Sequence, residues 1–308
     1  MTVAPIDALA PVLGGCYRDG VVAVRPRGVG ARRRLGTVRT AHFDLGREGG
    51  ELVVEHALTL DDVDDDLAGL LSDELFEPGW LRGSELFERV FTGVVVTCAE
   101  DPLVAWEAFY ANTLAAVGVS SEPVTAPALA PGSGHGAIRD YAPVYAHAEA
   151  LVAEGAASGR TVLELGSCFG FLALRLAMRG RAVTASDVSA GTMRLLAAMA
   201  PRLGVDVRTL TCGAAHVPEP DSGADVVLAV HLLEHLEPEH ADLVVAEARR
   251  LAARRVVVAV PLESSPSEQY GHVWSVTLEA LRRWGECSPG WRAEVHEHHG
   301  GWLVLDRA

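Results

Sequence analysis

The chain of 308 residues contains no lysine: all 26 of its basic side chains are arginine. That pattern looks like the codon bias of a GC-rich genome, and no chemistry is read from it. Paired cysteines are also missing. Cys16, Cys98, Cys168, Cys212 and Cys287 are odd in number, scattered, and never spaced C-x-x-C. That excludes a disulfide framework and a cysteine zinc site, and predicts reduced, mostly buried thiols. No apolar run is long enough to cross a bilayer; the longest, such as "VVVAVPL" at 256–262, suit buried strands. The N-terminus lacks a positively charged leader and carries Asp7, so no signal peptide is read and a cytoplasmic location is expected. Positive charge is in deficit overall. A net charge of −15 argues against nucleic acid as the default partner, because neutralising phosphates requires a basic surplus. One local exception is the first forty residues, which hold seven arginines, including Arg32, Arg33 and Arg34. These form either a solvated edge or a surface for an anionic partner.

What is present divides at "GVSSEPVTAPALAPGSGHG" (118–136), whose composition is that of a linker. The expected units are residues 1–118, a linker over 119–136, and 137–308. In the first, "GVVAVRPRG", "GTVRTAHFDLG" and "GELVVEHALTL" predict a small antiparallel sheet. Residues 58–76 then read as one helix with Thr59 as cap, and 101–117 as another with proline in its first turn. The aspartates at 61–66 lack EF-hand spacing and a loop glycine, so helix-dipole and solvent chemistry is expected of them.

From 137 onward strand and helix patterns alternate, which predicts a doubly wound, mostly parallel α/β sheet of Rossmann-like type. "WRAEVHEHH" and "WLVLD" bracket Gly300–Gly301 and predict an antiparallel hairpin at the end. In such sheets a ligand sits beyond the carboxyl ends of the strands, at the first turn. That turn is "TVLELGSCFGFLAL" (161–174). Its small residues, Gly166–x–Cys168–x–Gly170, do not match the G-x-G-x-x-G spacing that brings a pyrophosphate onto a helix. Glu164 decides further: its carboxylate would repel a pyrophosphate and attract an ammonium or sulfonium. Asp187, closing the next strand in "AVTASDVS", stands where an acid accepts hydrogen bonds from ribose hydroxyls.

"VLELGSCFGF", "AVTASDVS", "ADVVLAVHLLEHL" and "RVVVAVP" resemble the successive motifs of the class I S-adenosylmethionine-dependent methyltransferases, over roughly 137–308. The resemblance implies S-adenosyl-L-methionine as cofactor, with Glu164 near its amine and Gly166, Ser167, Cys168 and Gly170 forming the turn under it. It further implies Asp187 on the ribose, Val188 beside the adenine, and His231 at the junction of cofactor and acceptor. Two departures stand out. Cys168 replaces a middle glycine and needs a backbone that tolerates a Cβ. "TCGAAHVP" offers Gly213 and Ala214 where relatives often carry an acid for the adenine amine. "EQYGHVWSVTLEALRRWG", "EVHEHHGGWLVLD" and the added N-terminal region are similar to the mycofactocin oligosaccharide methyltransferases of actinobacteria. That similarity implies a glucose hydroxyl of an oligosaccharide as acceptor.

His231-x-x-Glu234-His235 also fits the H-x-x-E-H signature of a zinc hydrolase, but "DVVLAV" puts His231 at a strand end, so no metal is expected. Capping of the next helix and positioning of an acceptor remain as alternatives for these residues. His235, His272 and Glu234 are the candidate catalytic groups; a neutral imidazole could take the proton of an attacking hydroxyl. "HEHH" (296–299) is expected to face solvent. Tyr141 and Tyr145 either cover the cofactor or belong to the core. A small-molecule or oligosaccharide acceptor, no membrane, no nucleic acid and a possible homodimer complete the expectations. A cofactor-binding module without catalysis, and methyl transfer to another small metabolite, are the competing readings.

Overall fold

The computed structural model describes residues 6–28, 38–118, 137–154, 160–267 and 271–308. It divides into two compact units, Met1–Arg139 and Asp140–Ala308. The linker expected at 119–136, and Arg32, Arg33 and Arg34, lie outside the described residues.

In the first unit the strands are β1 (Tyr17–Arg18), β2 (Val22–Pro26), β3 (Val38–Arg39), β4 (Phe43–Glu48) and β5 (Glu51–His56). The sheet order is β1-β2-β5-β4-β3. It is not purely antiparallel as expected, because β2 pairs parallel with β5. Three helices follow: α1 (Leu67–Leu71), α2 (Ser84–Thr97) and α3 (Pro102–Ala116). The single helix predicted over 58–76 is broken into a 3₁₀ turn at Leu60–Asp62, α1 and a π-helical turn at Ser72–Phe76. Its aspartates are the reason. Asp62 accepts the Thr59 N–H at 2.9 Å, and Asp64 accepts the Asp66 N–H at 3.0 Å, so side chains compete with the helical ladder. Helix α3 starts as expected, with Asp101 accepting the Leu103 N–H at 2.9 Å ahead of Pro102.

Helix α2 has no counterpart in the sequence reading. Its run Val94–Val96 looks like a strand, yet packing on β2 overrides that propensity. Gly93 permits the approach: a Cβ there would stand 2.5 Å from Val24 Cγ2 and 2.9 Å from Tyr17 Cδ1. Of the N-terminal arginines that are described, Arg18, Arg25, Arg27 and Arg39 each pair with a carboxylate. That basic edge is largely neutralised from within its own sheet.

The second unit contains α4 (Ala137–Ala153, whose first residues precede the boundary), β6 (Thr161–Leu165), α5 (Phe171–Met178), β7 (Ala182–Asp187), α6 (Ala190–Arg202) and β8 (Val207–Thr211). It continues with β9 (Ala224–Val230), α7 (Pro238–Leu251), β10 (Ala252–Val260), α8 (Leu278–Glu286), β11 (Trp291–Glu297) and β12 (Gly301–Arg307). The sheet runs β11-β12-β10-β9-β6-β7-β8. Strands β8, β7, β6, β9 and β10 are parallel; β12 is antiparallel to β10, and β11 to β12. This is the Rossmann-like architecture expected, ending in the hairpin. Strand β9 is buried along nearly its whole length, and Val256–Val260 of β10 is fully buried, as strands covered on both faces must be. The chain order reverses beside β6, so the turns after β6 and β9 open at one switch point. A buried pair, Arg175 Nε donating to Glu149 Oε1 at 2.6 Å, ties α5 to α4.

"HEHH" does not simply face solvent. His296 is partly buried, its Nε2 2.8 Å from His147 Nε2 and its ring stacked on Trp302. Among the described residues, no helix is long and apolar enough to cross a membrane.

Candidate active site

The site is built at the carboxyl ends of β6, β7, β9 and β10. Strand β6 ends at Leu165, and the chain then turns through Gly166 (φ 67°), Cys168 (φ 49°) and Gly170 (φ 78°) into α5. Three left-handed residues in five make the turn tight. Gly170 also accommodates packing, because a Cβ there would fall inside the Leu196 side chain. Cys168 adopts the left-handed backbone its position demanded. Its N–H donates to Asp187 Oδ2 at 2.9 Å, which offsets part of the strain. Its side chain is exposed. Ser167 donates its N–H to the Ser186 carbonyl at 3.0 Å, and Ser186 Oγ donates to the Glu164 carbonyl at 2.9 Å. Sequence reasoning missed Ser186, although a serine beside Asp187 on a buried strand was a signal.

Glu164 lies beneath the turn rather than at its mouth. Only 5% of it is exposed. Burial pushes its carboxyl up to about 8, with the Asp187 charge adding to the effect and a backbone hydrogen bond from Ala173 opposing it. Its Oε2 has no hydrogen-bond partner. Asp187 closes β7 and binds its own loop, accepting from Cys168 at 2.9 Å and from Ser189 N at 2.8 Å. A carboxylate has about four acceptor positions, so two remain for a ligand. Val188, next in the chain, is 79% exposed, an apolar surface awaiting a cover. Beyond β8, Gly213 is exposed and Ala214 half-buried, and neither supplies a polar side chain.

On the other side of β6, His231 follows β9 in a left-handed conformation (φ 52°). Burial, with His272 and His235 nearby, pulls it down to about 4, and it is neutral at pH 7. Its ring lies 5.0 Å from Tyr141, which in turn lies 5.7 Å from Tyr145. Leu233–His235 then forms a 3₁₀ turn. Because His231 ends a strand and His235 ends this turn, the two histidines do not share a helix face, and the hydrolase geometry is absent.

Instead the structure gathers the three candidate catalytic residues. One ligating atom of each of Glu234, His235 and His272 lies within 4.8 Å of the others. Glu234 is 1% exposed, burial pushes it up to about 8, and neither carboxylate oxygen has a hydrogen-bond partner. Burial lowers His235, whose Nδ1 faces the Gly271 carbonyl at 3.3 Å. His272 Nδ1 is 2.7 Å from Glu263 Oε2. Glu263 was missed in the sequence; an acid directly after the apolar run of β10 was the available signal.

Fold and site together define a Rossmann-like unit with its binding edge at the β6 turn. Residues 162–254 match the family model described as a methyltransferase domain, and that match supports a methyltransferase. Among solved structures, magnesium protoporphyrin IX methyltransferase from Synechocystis with bound S-adenosylhomocysteine is 19% identical, with 56% of this chain and 84% of that one covered at a TM-score of 0.47. A SAM-dependent methyltransferase from Aquifex aeolicus is 19% identical over 48% of this chain and 80% of its own, at a TM-score of 0.39. No curated protein matches the chain.

Proposed function

We propose that the chain transfers a methyl group from S-adenosyl-L-methionine to a hydroxyl of a saccharide. The observation that carries the cofactor is Glu164, a buried carboxyl with an unpartnered oxygen beneath a turn whose second acidic acceptor is the half-buried Asp187. An ammonium ligand would satisfy the first, ribose hydroxyls the two open positions of the second, and an adenine ring would cover Val188. A pyrophosphate would meet the Asp187 carboxylate and a buried acid whose ionisation it would oppose, with no compensating cation in this turn.

The cofactor supplies a methyl group on a sulfonium that is already a good leaving group. What remains for the protein is alignment, exclusion of water and removal of one proton. His272 suits the last task. Its Nδ1–H donates to Glu263, which fixes the tautomer that leaves the lone pair on Nε2. Nε2 would take the proton of a hydroxyl presented to it for methylation, and Glu263 would stabilise the resulting imidazolium. His231, neutral and at the end of β9, packs with Tyr141 to shield the junction.

The saccharide acceptor, and a glucose of the mycofactocin oligosaccharide in particular, rests on the sequence resemblance. Incubating the protein with methyl-labelled cofactor and candidate acceptors tests the reading. Label in an alkali-stable ether on sugar supports it; label in an ester or amine refutes the hydroxyl acceptor. Tight cofactor binding with no transfer to any component of a cell extract would favour a non-catalytic binding module.

A further inference from the structure

We propose that Glu234, His235 and His272 bind one divalent transition-metal cation of the zinc type. The first argument is composition: two imidazoles and one carboxylate, with a ligating atom from each within 4.8 Å of the other two. The second is an unmet need. Glu234 is almost wholly buried, yet both its carboxylate oxygens lack a hydrogen-bond partner. A buried acid left in that state is costly unless a ligand completes it.

The third argument is orientation. A carbonyl oxygen only accepts, so His235 Nδ1, facing Gly271 O at 3.3 Å, carries the hydrogen. Glu263 imposes the same tautomer on His272 at 2.7 Å. Both rings therefore hold their lone pairs on Nε2. A second shell of carbonyl and carboxylate on the far nitrogen is how metal-binding histidines are held. The ligand-bearing segments are also fixed to each other before any ion arrives. Val273 N donates to the Glu234 carbonyl at 2.9 Å, and Trp274 Nε1 donates to the Leu233 carbonyl at 2.9 Å.

This set differs from the H-x-x-E-H pairing of His231 with His235. Its third ligand comes from the loop after the neighbouring strand. Two nitrogens and one oxygen suit Zn²⁺, Co²⁺ or Fe²⁺ and disfavour Mg²⁺ and Ca²⁺, which prefer all-oxygen shells. Three protein ligands leave a coordination position open. With an ion bound, the His272 Nε2 lone pair is taken, so the open position would lower the pKa of an acceptor hydroxyl in place of the base role given to His272; that use rests on the methyltransferase reading, and the site itself does not.

The test is titration of chelator-treated protein with Zn²⁺ by calorimetry and with Co²⁺ by visible absorption. One equivalent is expected, with Co²⁺ bands showing nitrogen ligation. H235A, whose side chain is exposed, and the isosteric E234Q should each weaken binding by about tenfold or more while leaving the circular dichroism unchanged. Absence of binding overturns the proposal. So does binding that survives both substitutions, or that is lost only in H296A, which would move the ion to the His147–His296 contact. Calorimetry with S-adenosylhomocysteine on the same samples separates the two readings. S-adenosylhomocysteine binding without zinc sinks the metal site alone, and zinc binding without S-adenosylhomocysteine sinks the cofactor alone.

Discussion

Glu164→Gln isolates the electrostatic step on which the cofactor reading depends. In the ligand-free protein burial holds the Glu164 carboxyl at about 8, so at pH 7 it is mostly protonated. An ammonium ligand needs the ionised form. Binding at pH 7 should therefore release about 0.9 proton, and ionising the acid there costs about 1.4 kcal/mol, tenfold in affinity. Between pH 5.5 and 7 the association constant for S-adenosylhomocysteine should rise about tenfold per pH unit, because each unit removes that cost once. Calorimetry in buffers of different ionisation heat reads both the proton count and the slope. In E164Q the amide keeps the shape and removes the charge, so the slope and the buffer dependence should vanish together. Affinity near pH 7.5 should fall by roughly tenfold or more, the scale of a lost charge-assisted contact. A flat pH profile in the parent protein, or equal affinity and equal proton release in E164Q, refutes the ion-pair argument.

Gly170→Ala places a Cβ inside the Leu196 side chain at a φ of 78°; urea unfolding should show a loss of about 1–2 kcal/mol from the backbone alone, and more from the overlap. Iodoacetamide should label the exposed Cys168 and Cys287, and S-adenosylhomocysteine should protect Cys168 only, as read by peptide mass spectrometry. His56 is fully buried, and burial pulls it down to about 4 from 6.5. Its contribution is therefore present above pH 6.5 and lost as pH falls towards 4, where the unfolded chain binds a proton the native one refuses. The difference in unfolding free energy between the parent protein and H56L should change by about 3 kcal/mol across that window, and a constant difference would show that His56 is not buried neutral.

The alternation of strands and helices after residue 137 was legible because β6, β7 and β9 are short, largely apolar and each lead on to a helix, while β8 runs straight on to β9 without one. The position of Glu164 was legible, but its depth was not. An acid at the end of a buried strand can point up into a turn or remain below it, and here the first turn of α5, whose Ala173 N–H reaches the carboxyl, encloses it below. Helix α2 was hidden for the opposite reason: its valines favour a strand locally, and only the sheet face against Gly93 makes the helix the better burial. The gathering of His235 with His272, far apart in the chain, was partly readable. Both follow strands predicted to be parallel, and neighbouring parallel strands deliver their next loops to the same edge. What could not be read was that β9 and β10 are neighbours, which follows from the register Val256↔Val227 and not from chain order alone.

Glu164 and Glu234 share a predicament that bears on what the edge is for. Each is buried beyond or at the carboxyl end of one of two adjacent strands, β6 and β9, and each has at least one oxygen without a hydrogen-bond partner. Elsewhere in the same unit the fold handles buried charge differently: Arg175 is met by Glu149 at 2.6 Å and Arg255 by Asp306 at 2.7 Å. The chain therefore has the means to neutralise a buried acid and does not use them at these two. A native fold keeps such groups where a ligand completes them, since leaving each unpaired costs on the order of 1–3 kcal/mol. Both acids call for positive charge, one from an organic ammonium and one from a metal ion. If E164Q and E234Q each leave the ligand-free protein as stable as the parent, or more stable, while removing separate ligands, the two acids serve binding and not folding. If either substitution destabilises the fold and leaves both ligands bound, that acid belongs to the scaffold.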